Sequence, residues 1–456
     1  MSELPDQWQA VKLSDVCEIN PGKPRDRTIT SDTQVTFVPM AAVDAGSGQI
    51  VNPTTRLFTK VAKGFTAFQE NDIIFAKITP CMENGKAAIA RRLINGIGFG
   101  STEFHVLRAN GTVLPEFVFY FIRQDSFRET AEANMTGSVG QKRVPVNFLK
   151  DTIIPLPPLN EQRRIVAKLE KLLSRVDTAQ ARLAKIPIIL KRFRQSVLAA
   201  ACSGRLTADW REQHPDSGSQ AARSIELANN DNCEIPAAWN PKTMGELLER
   251  IQAGNNFACI ERPPTNKEIG VLKISAVTWG KYDENESKTC TDPSRVKPAL
   301  FVQSGDFLFS RANTIELVGA CVIVDDLTSK IMLSDKVLRF SFKNVDPRWV
   351  LYWLRSGSGR SQIEFLATGN QQSMRNIGQE KIKQIVIPVP QQEEQKEIVR
   401  RIEALFKTVG VLEARYLKTK GHVDDLIQSI LARAFRGELV PQRSKRRSLI
   451  RIASTE

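Results

Sequence analysis

Gln141, Lys142 and Arg143 follow Gly137 and Gly140 within a few residues. The first two glycines let a loop come close to another backbone. The three polar side chains bring an amide and two cationic donors with no acceptor of their own beyond the amide oxygen. Lys77, Asn84 and Lys86 add the same chemistry earlier in the chain, and Arg311, Asn313, Gln371, Gln372 and Arg375 repeat it in the second half. These are the residue types that hydrogen-bond base edges in a major groove or hold phosphates. Taken singly, each is most simply a solvated side chain; Lys142 and Arg143 stand out because of the glycines beside them.

Catalytic chemistry is harder to find, and no catalytic or metal-ligating residue is assigned. A base methyltransferase needs a Gly-rich cofactor loop and an NPPF- or DPPY-type motif, and NPTT (52–55), RPPT (262–265) and TDPS (291–294) do not fit. No GxxxxGK[ST] loop for a nucleotide triphosphate occurs. Asp72, Glu83 and Lys86 faintly resemble a nuclease set, but their spacing is wrong, and Asp72 before Ile73 reads more simply as a strand-opening residue. The seven cysteines form no CxxC pair and the three histidines are scattered, which argues for reduced thiols and against a zinc site.

What must position these loops is written in the chain twice. IPLPPLNEQRRIVAKLEKLL (Ile154 to Leu173) matches IPVPQQEEQKEIVRRIEALF (Ile387 to Phe406) at nine of twenty positions, 233 residues apart. QSVLAAACSGRL (Gln195 to Leu206) then matches QSILARAFRGEL (Gln428 to Leu439) at seven of twelve, at the same offset. A repeat without insertion or deletion points to helix, because one added residue turns a helix face by about 100°. The apolar residues step 4-3-4-3 along both copies, through Ile165, Leu169, Leu172, Val176 and Leu183 in the first and Ile398, Ile402, Leu405, Val409 and Leu412 in the second. Prolines precede each helix, Gly204 and Gly437 stand where C-terminal caps belong, and Pro187 predicts a kink or break inside the first. Glu161 and Glu394, with Gln162 and Gln395, fall in the first turns and are read as dipole-compensating and capping residues.

The fold class expected is α+β. Two mixed α/β recognition domains in pseudo-twofold repeat are separated by two long helices forming an antiparallel coiled coil. The boundaries are 1–157 for the first domain, 158–206 for the first helix, 207–232 for a linker, 233–388 for the second domain, 389–437 for the second helix and 438–456 for a basic tail. The net charge of +14 is concentrated, since residues 158–211 hold 12 basic against 4 acidic side chains. Such a balance favours a polyanionic partner. No apolar run reaches the length of a membrane span and the N-terminus lacks the pattern of a signal peptide, so a cytoplasmic location is expected.

Two divergent blocks, each followed by a near-identical helix that opens with proline and a Glu-Gln pair, resemble the specificity (HsdS) subunit of type I restriction–modification systems. PLPPLNEQRRIVAKLEKLLSRVDTAQARL and RGELVPQ carry the resemblance over essentially the whole chain, and KRFRQSVLAAACSGRLTADWRE looks most like the type IA group. The resemblance implies a non-catalytic, DNA-binding subunit, present in one copy per complex. Each target recognition domain would read one half of a split, asymmetric site on double-stranded DNA, and the helices would set the spacing. It also implies two modification subunits that bind S-adenosylmethionine, restriction subunits that use ATP and Mg, and no cofactor in this chain. A standalone DNA enzyme and a coiled-coil protein scaffold are the alternatives.

Overall fold

The structure is a computed structural model and describes residues 4–23, 29–138, 140–214, 221–265, 267–371 and 374–441. The chain packs as two compact units. The first is built from residues up to Ala184 together with those from Leu417 onward, and the second from Lys185–Tyr416. The division cuts both repeated helical segments instead of following the linear boundaries read from sequence.

In the first unit, one four-stranded antiparallel sheet runs in the order Cys17–Ile19, Phe104–Ala109, Ile73–Ala76, Ala87–Ile89. A second has the order Thr54–Leu57, Gln34–Val38, Ile97–Gly100, Thr66–Gln69, with its two central strands parallel. The run DIIFAKI is strand because Ile73, Ile74, Phe75 and Ala76 are all buried between cores on both faces. Asp72 opens that strand as expected. Its carboxylate accepts from the Gln69 amide at 2.7 Å and from Arg108 Nε and Nη2 at 2.8 and 2.7 Å, so it is committed to structure. In the second unit, DFLFSRA plays the same part: Phe307–Ser310 lies in a sheet ordered Leu248–Ala253, Val337–Phe342, Phe307–Ser310, Cys321–Ile323, and Asp306 accepts from Arg339 at 2.8 Å.

Each block closes on itself before its helix begins. Gln9–Lys12 pairs antiparallel with Ile153–Leu156, and Asn240–Thr243 with Val386–Val389. The prolines that follow end the strand, and the helices Leu159–Leu183 and Gln392–Phe435 start there. The first helical copy is broken. A second helix, Ile186–Cys202, begins after Ala184 and Lys185 with Pro187 in its first turn, where the missing amide does no harm. Gly204 and Gly437 follow the helix ends with φ of 75° and 78°, the left-handed conformation expected of C-terminal caps.

Within the first unit, Ile165, Val166 and Leu169 share a buried cluster with Leu431, Ala434 and Phe435. Gln180 Nε2 donates to Asp424 Oδ1 at 3.0 Å. Within the second, Val197, Leu198 and Ala201 share a cluster with Ile398 and Ile402. There Arg194 Nη2 donates to Glu413 at 2.7 Å and Arg401 Nη1 to Asp209 at 2.6 Å. Of the residues assigned to the seam, Ile165, Leu169, Val176, Ile398, Ile402 and Val409 are buried and Leu172, Leu183 and Leu405 half-buried. Leu412 is a correction: it is 44% exposed. A heptad pattern marks a face, but a position on that face is covered only where a neighbour lies over it.

The Glu-Gln pairs are a second correction. Both members are buried in both copies. Trp8 Nε1 donates to Glu161 at 3.2 Å, and Trp239 Nε1 donates to Glu394 at 2.8 Å. Gln162 accepts from the Leu114 amide at 2.8 Å and donates to the Pro157 carbonyl at 2.8 Å; Gln395 does the same with Asp346 and Pro390, at 2.8 Å each. First-turn carboxylates in solvent would compensate the dipole; here they bolt each block to its helix. The stretch 207–232 also differs from a linker. It holds the helix Ala208–Gln213 and the paired strands Ala222–Glu226 and Asn232–Pro236, and its Arg211 is buried against Glu394, with Thr207 donating to the same carboxylate at 2.8 Å. Composition alone marked this segment as loop, but its one buried arginine ties it down. Most of the basic tail, 442–456, lies outside the described residues.

Glu394→Ala should therefore cost more than Glu161→Ala. It strands a buried guanidinium, a loss of about 3–5 kcal/mol, whereas Glu161→Ala leaves one indole N–H without a partner, about 1–3 kcal/mol. Urea unfolding of the purified chain measures both; equal midpoints would mean that the Arg211 contact adds nothing.

Candidate nucleic-acid interface

In the first unit the residues singled out for recognition converge on a hairpin. Thr136 and Arg143 exchange backbone hydrogen bonds at 3.0 and 2.8 Å. Arg143 also bridges to Ile78, the Val144 amide donates to the Lys77 carbonyl at 2.9 Å, and the Thr79 amide donates to the Lys142 carbonyl at 3.1 Å. Lys77, Gln141, Lys142 and Arg143 are thus brought to one edge by the end of strand Ile73–Ala76. Gly137 has φ of 123°, and a Cβ there would stand 3.0 Å from the Gln141 carbonyl, so the tight hairpin requires glycine at that position.

The hairpin is braced from beneath. His105 is buried, and its Nε2 lies 2.8 Å from the Val144 carbonyl, so Nε2 carries the proton and donates. Burial lowers its pKa from the ordinary histidine value, which keeps the ring neutral. Arg143 Nε and Nη2 each donate to Glu103 at 2.9 Å. That contact holds the Glu103 carboxyl below its ordinary range.

The second unit builds the corresponding hairpin in a different chemistry. Met374–Asn376 pairs with both Thr368–Gln371 and Ala312–Asn313, and the Ile377 amide donates to the Arg311 carbonyl at 2.9 Å, as Val144 does to Lys77. Gly369 has φ of 134° and its Cβ would meet the Met374 carbonyl at 2.6 Å. The backbone contacts therefore equate Lys142 with Arg375 and Arg143 with Asn376. The residue equivalent to Glu103 is Lys336, whose carbonyl accepts from the Arg311 amide at 3.0 Å. Lys336, Lys273 and Lys288 line a groove of about 340 Å³ beside it.

Gln141 and Lys142 are exposed, as is Asn84 on the neighbouring turn. Gln371 is exposed, and Gln372 lies outside the described residues. Arg375 is half-buried; its Nη1 donates to the Gly369 carbonyl, while its Nε has no partner among the described residues. Two assigned residues are spent inside the fold. Lys86 donates from Nζ to the Met40 carbonyl at 3.0 Å, and the Asn313 amide is held between Thr278 Oγ1 at 3.3 Å and the Thr314 amide at 2.8 Å. Both sit at strand or turn ends where unpaired backbone groups compete for a polar side chain. Glu103, Lys336 and Asn376 escaped the sequence reading. Only the pairing register aligns the first two; Asn376 directly follows the assigned Arg375, one residue out of step with its partner loop.

A two-unit α+β chain with a donor-bearing hairpin in each unit defines a DNA-reading protein more readily than an enzyme. Among the described residues no group of three or more His, Cys, Asp or Glu is placed to hold a metal. Residues 5–187 and 239–418 match the type I restriction modification DNA specificity domain, and the chain belongs to that family. It is 29% identical to the type I restriction enzyme EcoEI specificity subunit of Escherichia coli, over 91% of this chain and 80% of that one. To the EcoKI specificity subunit of E. coli strain K12 it is 32% identical, over 74% of this chain and 68% of that one. A solved chain from work on the assembly and conformational transition of the type I R-M system is 25% identical, with a TM-score of 0.73 covering 96% of this chain and all of the other.

Lys142→Ala should weaken binding to all DNA sequences alike and lower the salt slope of log affinity by about one. Gln141→Ala should leave the slope unchanged and relax one base position, costing about 1–3 kcal/mol. Titrating single-base variants of a target duplex at several salt concentrations separates the two; profiles unchanged from the unaltered chain in both variants would show that the hairpin tip is not at the DNA.

Proposed function

We propose that this chain is the DNA-specificity subunit of a type I restriction–modification complex, with no catalysis of its own. The observation that carries it is the pair of equivalent glycine hairpins bearing different side chains on the same backbone register. Each recognition domain reads one half of a split, asymmetric site on double-stranded DNA. Loops carry the specificity and a common scaffold aims them.

The repeated helical segments form an antiparallel coiled coil in a pseudo-twofold arrangement. Support comes from contacts running in opposite chain order, Gln180 with Asp424 in one unit and Arg194 with Glu413 in the other. These helices set the spacer between half-sites and dock two modification subunits. Those partners supply S-adenosylmethionine, and restriction subunits supply the ATP- and Mg-dependent steps; this chain needs no cofactor. Function on cellular DNA places it in the cytoplasm.

Two changes test this reading. Exchanging block 1–150 for that of a relative should change one half-site in the methylation pattern and leave the other intact; altered bases in both would overturn independent reading. Inserting one heptad between Val176 and Ala179, and one after Val409, lengthens each helix by about 10 Å while keeping its face in phase. The preferred spacer should lengthen with both half-sites retained. An active complex with its original spacer would remove the helices from that role.

A further inference from the structure

The first unit's Arg143 is held in a way that leaves a specific pair of donors free. A guanidinium has five N–H donors in a fixed plane. Nε and Nη2 each use one on Glu103, at 2.9 Å, and Nη1 uses one on the Gln141 carbonyl at 3.1 Å. Among the described residues two donors remain unused, one on each terminal nitrogen. The side chain is 44% exposed, so the fork is open to an incoming group.

A donor on each terminal nitrogen suits a pair of acceptors on one rigid edge. Among the four bases, guanine presents such a pair in the major groove, O6 and N7. Resting on the DNA-reading function above, we propose that Arg143 reads a guanine in the half-site of the first unit and that Glu103 is its positioning residue. Glu103 fixes the plane of the guanidinium through two hydrogen bonds, which removes rotamer freedom before the base arrives. It also places a carboxylate beside the contact, where a phosphate would be repelled and a neutral base edge would not. Lys77 and His105 flank the pair, and the His105 ring is committed to Val144 and to Asn20.

The second unit lacks this device. Its equivalents are Asn376 and Lys336, so no carboxylate orients the hairpin residue there, and Asn376 is exposed. An amide at that register offers one donor and one acceptor, the pattern that suits adenine. The two half-sites are read by unlike chemistry at the same backbone position.

The experiment is DNA binding by the assembled complex with its modification subunits, across all single-base variants of the target at several salt concentrations. Arg143→Ala removes the fork. It should reduce preference for guanine at one position by about 10- to 100-fold with the salt slope unchanged. Glu103→Gln should weaken discrimination at that same position while affinity for unrelated DNA holds or rises, a result that simple misfolding would not give. A uniform loss of affinity with a slope lower by about one would make Arg143 a phosphate contact and overturn the proposal, as would retained guanine preference in Arg143→Ala. Exchange of block 1–150 is the control. If it redirects one half-site while both point variants do nothing, this inference alone falls; if it redirects nothing, the DNA-reading function of the unit falls with it.

Discussion

The contact on which each recognition block depends is a buried tryptophan donating to a buried glutamate at the start of a helix. Trp8 with Glu161 and Trp239 with Glu394 pin the first turn of the helix to the beginning of the block, 153 and 155 residues away in sequence. A buried carboxylate is costly unless its lone pairs are filled. Glu394 meets that demand with Trp239, Thr207 and Arg211. The neighbouring glutamine uses its acceptor on the entry of helix Pro115–Ile122 or Pro347–Arg355 and its donor on the proline strand. The helix, the first strand, the last strand and the block's main helix are all fixed at one point. A block whose two ends are fixed together can vary its loops without moving its attachment.

The hairpin inherits its position from the same logic. It hangs on the strand that Asp72 or Asp306 opens, through backbone hydrogen bonds to Lys77 or Arg311 that place no demand on side-chain identity. Glycine at 137 and 369 is constrained by positive φ and a carbonyl too close for a Cβ, and Gly140 by a φ of 79°. Backbone contacts fix where the side chains stand, and substitution decides their chemistry.

Much of this was legible in the amino-acid sequence. Helices announce themselves by a gap-free repeat and a 4-3 step, one strand by Asp72 ahead of Ile73, and the break by Pro187. Gly137 and Gly140 marked a loop beside Gln141, Lys142 and Arg143. The misses share a cause: they are properties of pairing across long stretches of chain. Glu161 looks like a surface charge in a first turn until Trp8 is brought over it. Leu412 continues the seam in sequence but has no cover. Arg211 sits in a segment with the composition of a linker, and only burial against Glu394 shows it as an anchor. Glu103 has no motif around it, since its partnership with Arg143 exists only once two strands 40 residues apart fall into register.

Carrying two such blocks in one chain has a chemical consequence. An identical pair of subunits presents the same side chain twice, and a twofold reader of that kind matches a palindromic site. Here the register position that holds Arg143 in one unit holds Asn376 in the other, and the supporting position holds Glu103 in one and Lys336 in the other. The change is coordinated: a guanidinium is held by a carboxylate, and where the guanidinium is gone the carboxylate is gone too. Where Glu103 holds Arg143 in the first unit, Lys336 stands on the strand beside Arg311 in the second. Divergence within one backbone pattern therefore gives a single chain two hairpins of unlike chemistry.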